Sequence, residues 1–419
     1  MKRVIIKNAS QLVTCSGYKA KKGKEMNHLG IIENGALVIE EGIIKWVGTT
    51  PNIPRQYRKV AQEIDASNKT VLPGFVDSHT HFLFGGYREE EYSWRLAGYD
   101  YMEIMKKGGG IVNTVSHTKE ATKESLINVG MKRLNSMLSF GVTTVEGKSG
   151  YGLDYETEIK QLEIMKKLNK RHKIDVVSTF LGAHALPKQY KGKEDEYIDY
   201  MINEVLPYVV DRELAEFCDV FCEEGVFSIE QSERILVTAR EQGLKLKIHA
   251  DEIVNLGGAK LAAKLKTTSA DHLLMASDEG IREMELNNVV ATLLPGTAFS
   301  LKENYARARY MIDNNLAVAL ATDFNPGSCF TESIPLIIAL ATLYMNMSIE
   351  ETITALTING AAAIDRADQI GSIDINKKGD IVIHEFPSYK FIPYHIGVST
   401  VETVIKDGKV VYDKEDKLC

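Results

Sequence analysis

Val71-Leu72-Pro73-Gly74-Phe75-Val76-Asp77-Ser78-His79-Thr80-His81 runs an apolar stretch of strand character straight into two histidines spaced two residues apart. In a strand, residues i and i+2 project from one face, so His79 and His81 can reach a single point. Seven further apolar runs follow, at 142–145, 176–181, 220–221, 244–248, a weak one before His272, 289–294 and 317–321. Stretches of helical period lie between them, at 123–138, 155–168, 228–242 and 331–345. The third opens with Ser228 and carries Gln231 three residues on, the spacing of a capping box. Eight strands alternating with helices predict an α/β fold, a TIM-type (β/α)8 barrel closed on itself.

Outside this region the text changes. Short apolar runs at 36–39 and 43–47 are separated by Glu40-Glu41-Gly42, and the tail returns to strand and turn text at 379–383 and 404–411. The Asp407-Gly408 pair between apolar runs is a hairpin signal. The simplest division gives residues 68–366 to the barrel and pairs 1–67 with 367–419 in a small β-sandwich domain built from both chain ends. A further helical stretch at 349–363 closes the barrel region.

Composition narrows the class. The 419 residues are 44% hydrophobic and 26% charged, as in a globular protein, with a net charge of −7 and no long basic block. The lysine-rich run at 19–24 is short enough to be a solvated loop, so nucleic acid and membrane are not expected partners. No uncharged apolar run of about 18 residues exists, and the N-terminal text lacks a secretory apolar core, which predicts a cytoplasmic chain. Five scattered cysteines, Cys15, Cys218, Cys222, Cys329 and Cys419, give no disulfide framework and suit a reducing compartment. Cys218 and Cys222 have no second pair at zinc-finger spacing and read as buried thiols.

The strand count places His249 at the end of strand five, His272 at the end of strand six and Asp323 at the end of strand eight. These ends form the C-terminal mouth, where barrel enzymes carry their catalytic groups. His79-x-His81 alone reads equally as two polar strand caps. Polar ligands on four of eight strand ends point instead to a divalent metal, which neutral imidazole and carboxylate ligate well. His28, His117, His172, His384 and His395 lack this placement and read as surface or satisfied histidines. Glu252 stands three residues beyond His249 and can pass protons between water and a leaving nitrogen. Its alternative is an acid at the start of the next helix. His272 is either a ligand or a base that orients water, and Asp323 either a ligand or a group that shares the water's proton.

Two other motifs are set aside. Gly147-Lys148-Ser149 has Gly141 one residue too far back for a phosphate loop. Gly108-Gly109-Gly110 has no strand directly before it and reads as a flexible loop beside the site.

Residues 73–81, His249-x-x-Glu252, Ser269-Ala270-Asp271-His272 and Ala321-Thr322-Asp323 together resemble the amidohydrolase superfamily. Finer motifs resemble the imidazolonepropionase family within it. They are His81-Phe82-Leu83-Phe84-Gly85-Gly86-Tyr87-Arg88-Glu89, residues 108–115, Lys148-Ser149-Gly150-Tyr151-Gly152-Leu153, Phe180-Leu181-Gly182-Ala183-His184, and Asp323-Phe324-Asn325-Pro326-Gly327-Ser328. The likeness spans nearly the whole chain. Gly147 departs from it, because that family more often has a bulkier apolar residue there, and this puts local packing in question.

The resemblance implies that His79, His81, His249 and Asp323 hold one zinc or iron ion. It implies that Arg88, Tyr151, His184, Glu252, Asn325, Gly327 and Ser328 contact the small-molecule substrate, and it admits a homodimer. The implied reaction is hydrolysis of the cyclic amide of 4-imidazolone-5-propanoate to N-formimidoyl-L-glutamate, a step of histidine degradation, with Glu252, His272 and Asp323 as catalytic groups. Arg88 offers a planar, permanently charged fork for the substrate's carboxylate arm. Some relatives use two metals bridged by a modified lysine at the end of strand four. Here strand four ends near Cys222-Glu223-Glu224 and Lys148 follows strand two, which favours one metal. The rival readings are another mononuclear amidohydrolase, such as a cytosine or guanine deaminase, and a noncatalytic scaffold that has kept the fold.

Overall fold

The apolar run at 71–76 is cut in two by Gly74. Thr70–Pro73 pairs into one sheet and Phe75–Asp77 opens another, while the Gly74 amide donates to the Asp380 carbonyl at 2.9 Å. A Cβ at Gly74 would lie 2.2 Å from Thr143 Oγ1, so only glycine lets the chain cross between the sheets. The single first strand expected from the sequence is therefore two strands. The computed structural model describes residues 3–58, 62–99, 103–104 and 107–415. Cys419 lies outside them, and the other four cysteines are free and buried.

Eight parallel strands form the barrel in sequence order. They are β1 (Phe75–Asp77), β2 (Val142–Lys148), β3 (Asp175–Ala183), β4 (Phe217–Cys222), β5 (Lys245–Ala250), β6 (Ser269–His272), β7 (Val290–Leu293) and β8 (Val318–Leu320). The barrel closes just past its first and last strands. Thr80 bridges Phe324, Asp323 N donates to the His79 carbonyl at 3.0 Å, and His81 N donates to the Phe324 carbonyl at 2.9 Å. That closure sets His79, His81 and Asp323 side by side. Strand β2 runs further than its apolar core, so Lys148 is its last residue rather than one that follows it. Strand β4 likewise starts three residues earlier than its apolar text, because Asp219 inside it is buried and paired.

The helices pack an apolar stripe against the barrel. Ile229–Glu241 shows the full capping box of Ser228 and Gln231 and buries Ile235, Leu236 and Ala239. The stretch at 349–363 is two helices, Ile349–Leu356 and Ile358–Ala363, because Thr357 between them has φ −121° and ψ −97°. No helix among the described residues is long and apolar enough to cross a membrane.

The chain ends build one eight-stranded sheet. Its path runs Lys409–Asp413, Val401–Lys406, Ile381–His384, Thr70–Pro73, Arg3–Val13, Ile31–Glu40 and Ile43–Thr49, with Gln62–Asp65 beside Arg3–Val13. Ile6, Leu12, Leu37, Ile39, Val71, Ile381, Ile383 and Ile405 form its own apolar core. In the hairpin turn both Asp407 (φ 48°) and Gly408 (φ 70°) are left-handed, as a type I′ turn requires.

Candidate active site

The C-terminal ends of the barrel strands gather the predicted site residues. His79 and His81 stand with ring centroids 5.3 Å apart, His79 and His249 at 4.7 Å, and His249 and His272 at 5.2 Å. Asp323 Oδ1 lies 3.5 Å from His79 Nε2 and 3.7 Å from His81 Nε2. The potential ligand atoms of His79, His81 and Asp323 lie within 4.8 Å of one another, and so do those of His79, His249 and His272. His272 (φ 75°) and Asp323 (φ 50°) both take left-handed backbone conformations at their strand ends.

Buried imidazole nitrogens normally find a partner, because an unmet polar atom in the interior costs on the order of 1–3 kcal/mol. Here His79 Nε2, His81 Nδ1, His272 Nδ1 and both ring nitrogens of His249 have no hydrogen-bond partner among the described residues. Burial, and then the neighbouring His184, push His81 well below the usual imidazole range, and burial brings His272 down to about 3. Unpartnered imidazole nitrogens that face one another beside a carboxylate fit a divalent metal ion. Burial and Lys148 act to lower His79, but Asp271 and Asp323 outweigh them and hold it at about 9 in the protein alone.

Glu252 is mostly buried, with Oε1 3.4 Å from His272 Nδ1. Burial, and then Asp323 and Glu223, raise its carboxyl to about 8. The helix-start role belongs to its neighbour. Asp251 accepts from the amides of Gly257, Gly258 and Ala259 at 2.9–3.0 Å, which leaves Glu252 to face the site.

A cavity of about 900 Å³ opens above the cluster. Its walls include His81, Arg88, Tyr151, His184, His249, Glu252, His272, Asp323, Asn325, Gly327 and Ser328, whereas His79 sits beneath, with no exposure. Arg88 is not a free fork: its Nε and Nη2 both donate to Glu91 Oε2, at 2.9 and 2.6 Å. Glu91 Oε1 in turn accepts from the Gly110 amide at 3.0 Å, so the glycine-rich segment is tied to the arginine. A Cβ on Gly327 would lie 2.1 Å from Arg88 Nη1, and this close approach is what requires glycine there. Asn325 shapes the same loop, with Oδ1 accepting from the Gly327 and Ser328 amides at 2.8 Å each. His184 stacks on His81 with centroids 5.0 Å apart, and Tyr151 lies edge-on to it at 5.4 Å. His184 Nδ1 is 2.9 Å from the Gly150 carbonyl, so that nitrogen donates and Nε2 remains for another partner.

The sequence between residues 70 and 411 matches the model of the amidohydrolase family. The chain belongs to that family. This amidohydrolase is similar to the imidazolonepropionase of Clostridium tetani, 65% identical over 412 residues that cover 98% of each chain. It is also similar to the imidazolonepropionase of Parabacteroides distasonis, 59% identical over 409 residues, 97% of this chain and 98% of the other. Among solved structures, an adenosine deaminase from Xanthomonas campestris with bound zinc shares the fold. It has a TM-score of 0.72 at 17% identity and covers 99% of this chain and 94% of its own. A triazine hydrolase variant does so with a TM-score of 0.77 at 15% identity, over 99% and 96%. The family is metal-dependent, and this amidohydrolase has a histidine–aspartate cluster whose atoms could hold a metal ion.

Several residues that shape this amidohydrolase's site are absent from the set read in the sequence. Thr297 Oγ1 donates to Asp323 Oδ2 at 2.5 Å, Glu91 holds Arg88, and Glu223 binds the backbone of the Glu252 loop. Thr297 and Glu223 stand in the sequence as polar residues shortly after apolar runs, and Glu91 as the last of three consecutive acids.

Proposed function

We propose that this amidohydrolase cleaves the ring amide of 4-imidazolone-5-propanoate, with water, to give N-formimidoyl-L-glutamate. The observation that carries the reading is one cavity that joins the histidine–aspartate cluster to Arg88. A cyclic amide needs the first, and a propanoate arm needs the second. The full-length similarity to imidazolonepropionases supports the same substrate.

His79, His81, His249 and Asp323 would hold one zinc or iron ion, which would supply Lewis acidity toward water near neutral pH. Asp323, fixed by Thr297, and His272 orient the attacking water and take up its proton. As water's oxygen bonds to the ring carbonyl carbon, the carbon–nitrogen bond breaks and the nitrogen must gain a proton. Glu252, whose carboxyl burial and then Asp323 and Glu223 raise to about 8 in the protein alone, delivers a proton to that nitrogen. Arg88 pairs with the propanoate carboxylate, Tyr151, His184 and Ser328 offer hydrogen bonds around ring and arm, and Asn325 lines the arm while its side chain holds the loop of Gly327 and Ser328.

The test is the ultraviolet absorbance of freshly generated imidazolone propanoate mixed with the purified protein, with metal content measured on the same sample. Rapid loss of the ring chromophore with about one metal per chain is the expected result. A metal-loaded protein that leaves the chromophore intact overturns the substrate.

A further inference from the structure

Five charged side chains with no solvent exposure lie together under the histidine cluster: Glu146, Lys148, Asp219, Lys247 and Asp271. Lys148 Nζ is 2.7 Å from Asp219 Oδ2, 3.0 Å from Glu146 Oε1 and 3.4 Å from Asp271 Oδ2. Lys247 Nζ is 2.6 Å from Glu146 Oε2 and donates to the Ser78 carbonyl at 2.8 Å. Burying such a group is costly, and apolar residues of like volume often stabilise a core as well or better, so stability is a poor reason for it.

Its upper edge shows another reason. The Asp271 oxygen that touches Lys148 is also 2.7 Å from His79 Nδ1. The Asp219 oxygen that touches Lys148 is also 3.0 Å from His249 Nδ1, somewhat off the line of a hydrogen bond. One ammonium group thus sits behind two carboxylates, and each carboxylate sits behind one imidazole. With a carboxylate oxygen behind Nδ1, each ring turns its Nε2 toward the cluster, the arrangement by which outer carboxylates fix metal-binding histidines.

We propose that Lys148 is a positioning residue for the metal centre, acting on His79 and His249 through Asp271 and Asp219. The inference rests on the reading that these histidines hold a metal. It makes a prediction opposite in sign to simple Coulomb reasoning. A buried ammonium near a cation site repels the cation, so its removal by charge alone tightens metal binding. Loss of positioning weakens it.

The experiment is chelator-competition titration of zinc, with the visible spectrum of the cobalt(II)-loaded protein and far-ultraviolet circular dichroism as companions. Lys148→Met is expected to bind zinc about 10- to 100-fold more weakly and to shift the cobalt bands while the dichroism stays that of the wild type. A second variant, Lys148→Met with Glu146→Gln, keeps the cluster's net charge and both positioning carboxylates, and is expected to show the same loss. Wild-type affinity with an unchanged cobalt spectrum in either folded variant overturns the proposal, and so does tighter binding. A wild-type chain that binds no zinc or cobalt overturns the metal reading and this inference together.

Discussion

Glu223 folds the loop that carries Glu252: its Oε2 accepts from the Glu252 amide at 3.0 Å and from the Ile253 amide at 2.9 Å, and its Oε1 from the Val254 amide at 3.2 Å. Three consecutive amides on one buried carboxylate hold the backbone that aims Glu252 at His272. Charge-assisted bonds of this kind are each worth about 1.5–3 kcal/mol. Glu223→Gln keeps an acceptor but loses the charge and one oxygen. The variant is expected to stay folded, to keep its metal, and to lose about tenfold in kcat, a misplacement effect of 1.4 kcal/mol on the order expected for a loosened catalytic group. Steady-state kinetics with metal analysis decides the matter; an unchanged kcat removes Glu223 from the catalytic geometry.

Glu252 itself bears a larger burden. If it delivers the proton that frees the ring nitrogen, Glu252→Gln costs about 10²- to 10⁴-fold in kcat. Metal content should hardly change, since Glu252 is outside the proposed ligand set. A fully active variant would take Glu252 out of the mechanism, and loss of metal in step with loss of activity would recast it as a ligand.

How much of this was legible in the sequence depends on how local each feature is. Ser228 and Gln231 were read correctly because a capping box needs only its own turn. The break at Gly74 could not be read, because 71–76 is one apolar run and only competition between two sheets divides it. Strand β6 looked weak because its residues are Ser269, Ala270, Asp271 and His272. In the fold Ser269 Oγ donates to Asp271 Oδ1 at 2.6 Å, and all four side chains are buried. Glu146 and Asp219 stand just outside the runs 142–145 and 220–221, and Lys247 lies inside 244–248 with nothing in the text to mark it as paired. Charges inside a barrel are paired across strands that the chain order does not bring together. The histidines and Asp323 were legible because strand ends can be counted, but the acids and lysines behind them belong to partners found only in three dimensions.

Gly327 gives a steric test of the arm-binding side. Its missing Cβ is the space that Arg88 Nη1 uses, at 2.1 Å from where that carbon would be. Gly327→Ala must displace the guanidinium, at about 1–3 kcal/mol for a crowded contact. The expected outcome is a KM raised about 5- to 100-fold with kcat less affected and metal content intact. If KM is unchanged while the fold is intact, Arg88 does not hold the carboxylate arm.

Acid stability offers a prediction away from the active site. His384, in the strand Ile381–His384, is buried against Phe75 with ring centroids 5.9 Å apart, and its Nε2 has no partner among the described residues. Burial pushes its imidazole down to about 3. In the unfolded chain a histidine takes up a proton near pH 6.5. Between these values the unfolded state holds the extra proton, so stability falls as the pH is lowered from about 6.5 toward 3. The slope approaches about 1.4 kcal/mol per pH unit for this one residue. His384→Met removes that proton uptake, at the expense of the contact between Nδ1 and Thr400 Oγ1 at 2.8 Å. The variant is expected to start less stable at neutral pH and to lose stability more gently on acidification. Denaturant melts from pH 7.5 to 4.5 measure both, and parallel curves for the two proteins across that range contradict the assignment of His384 as a neutral buried group whose protonation opposes folding.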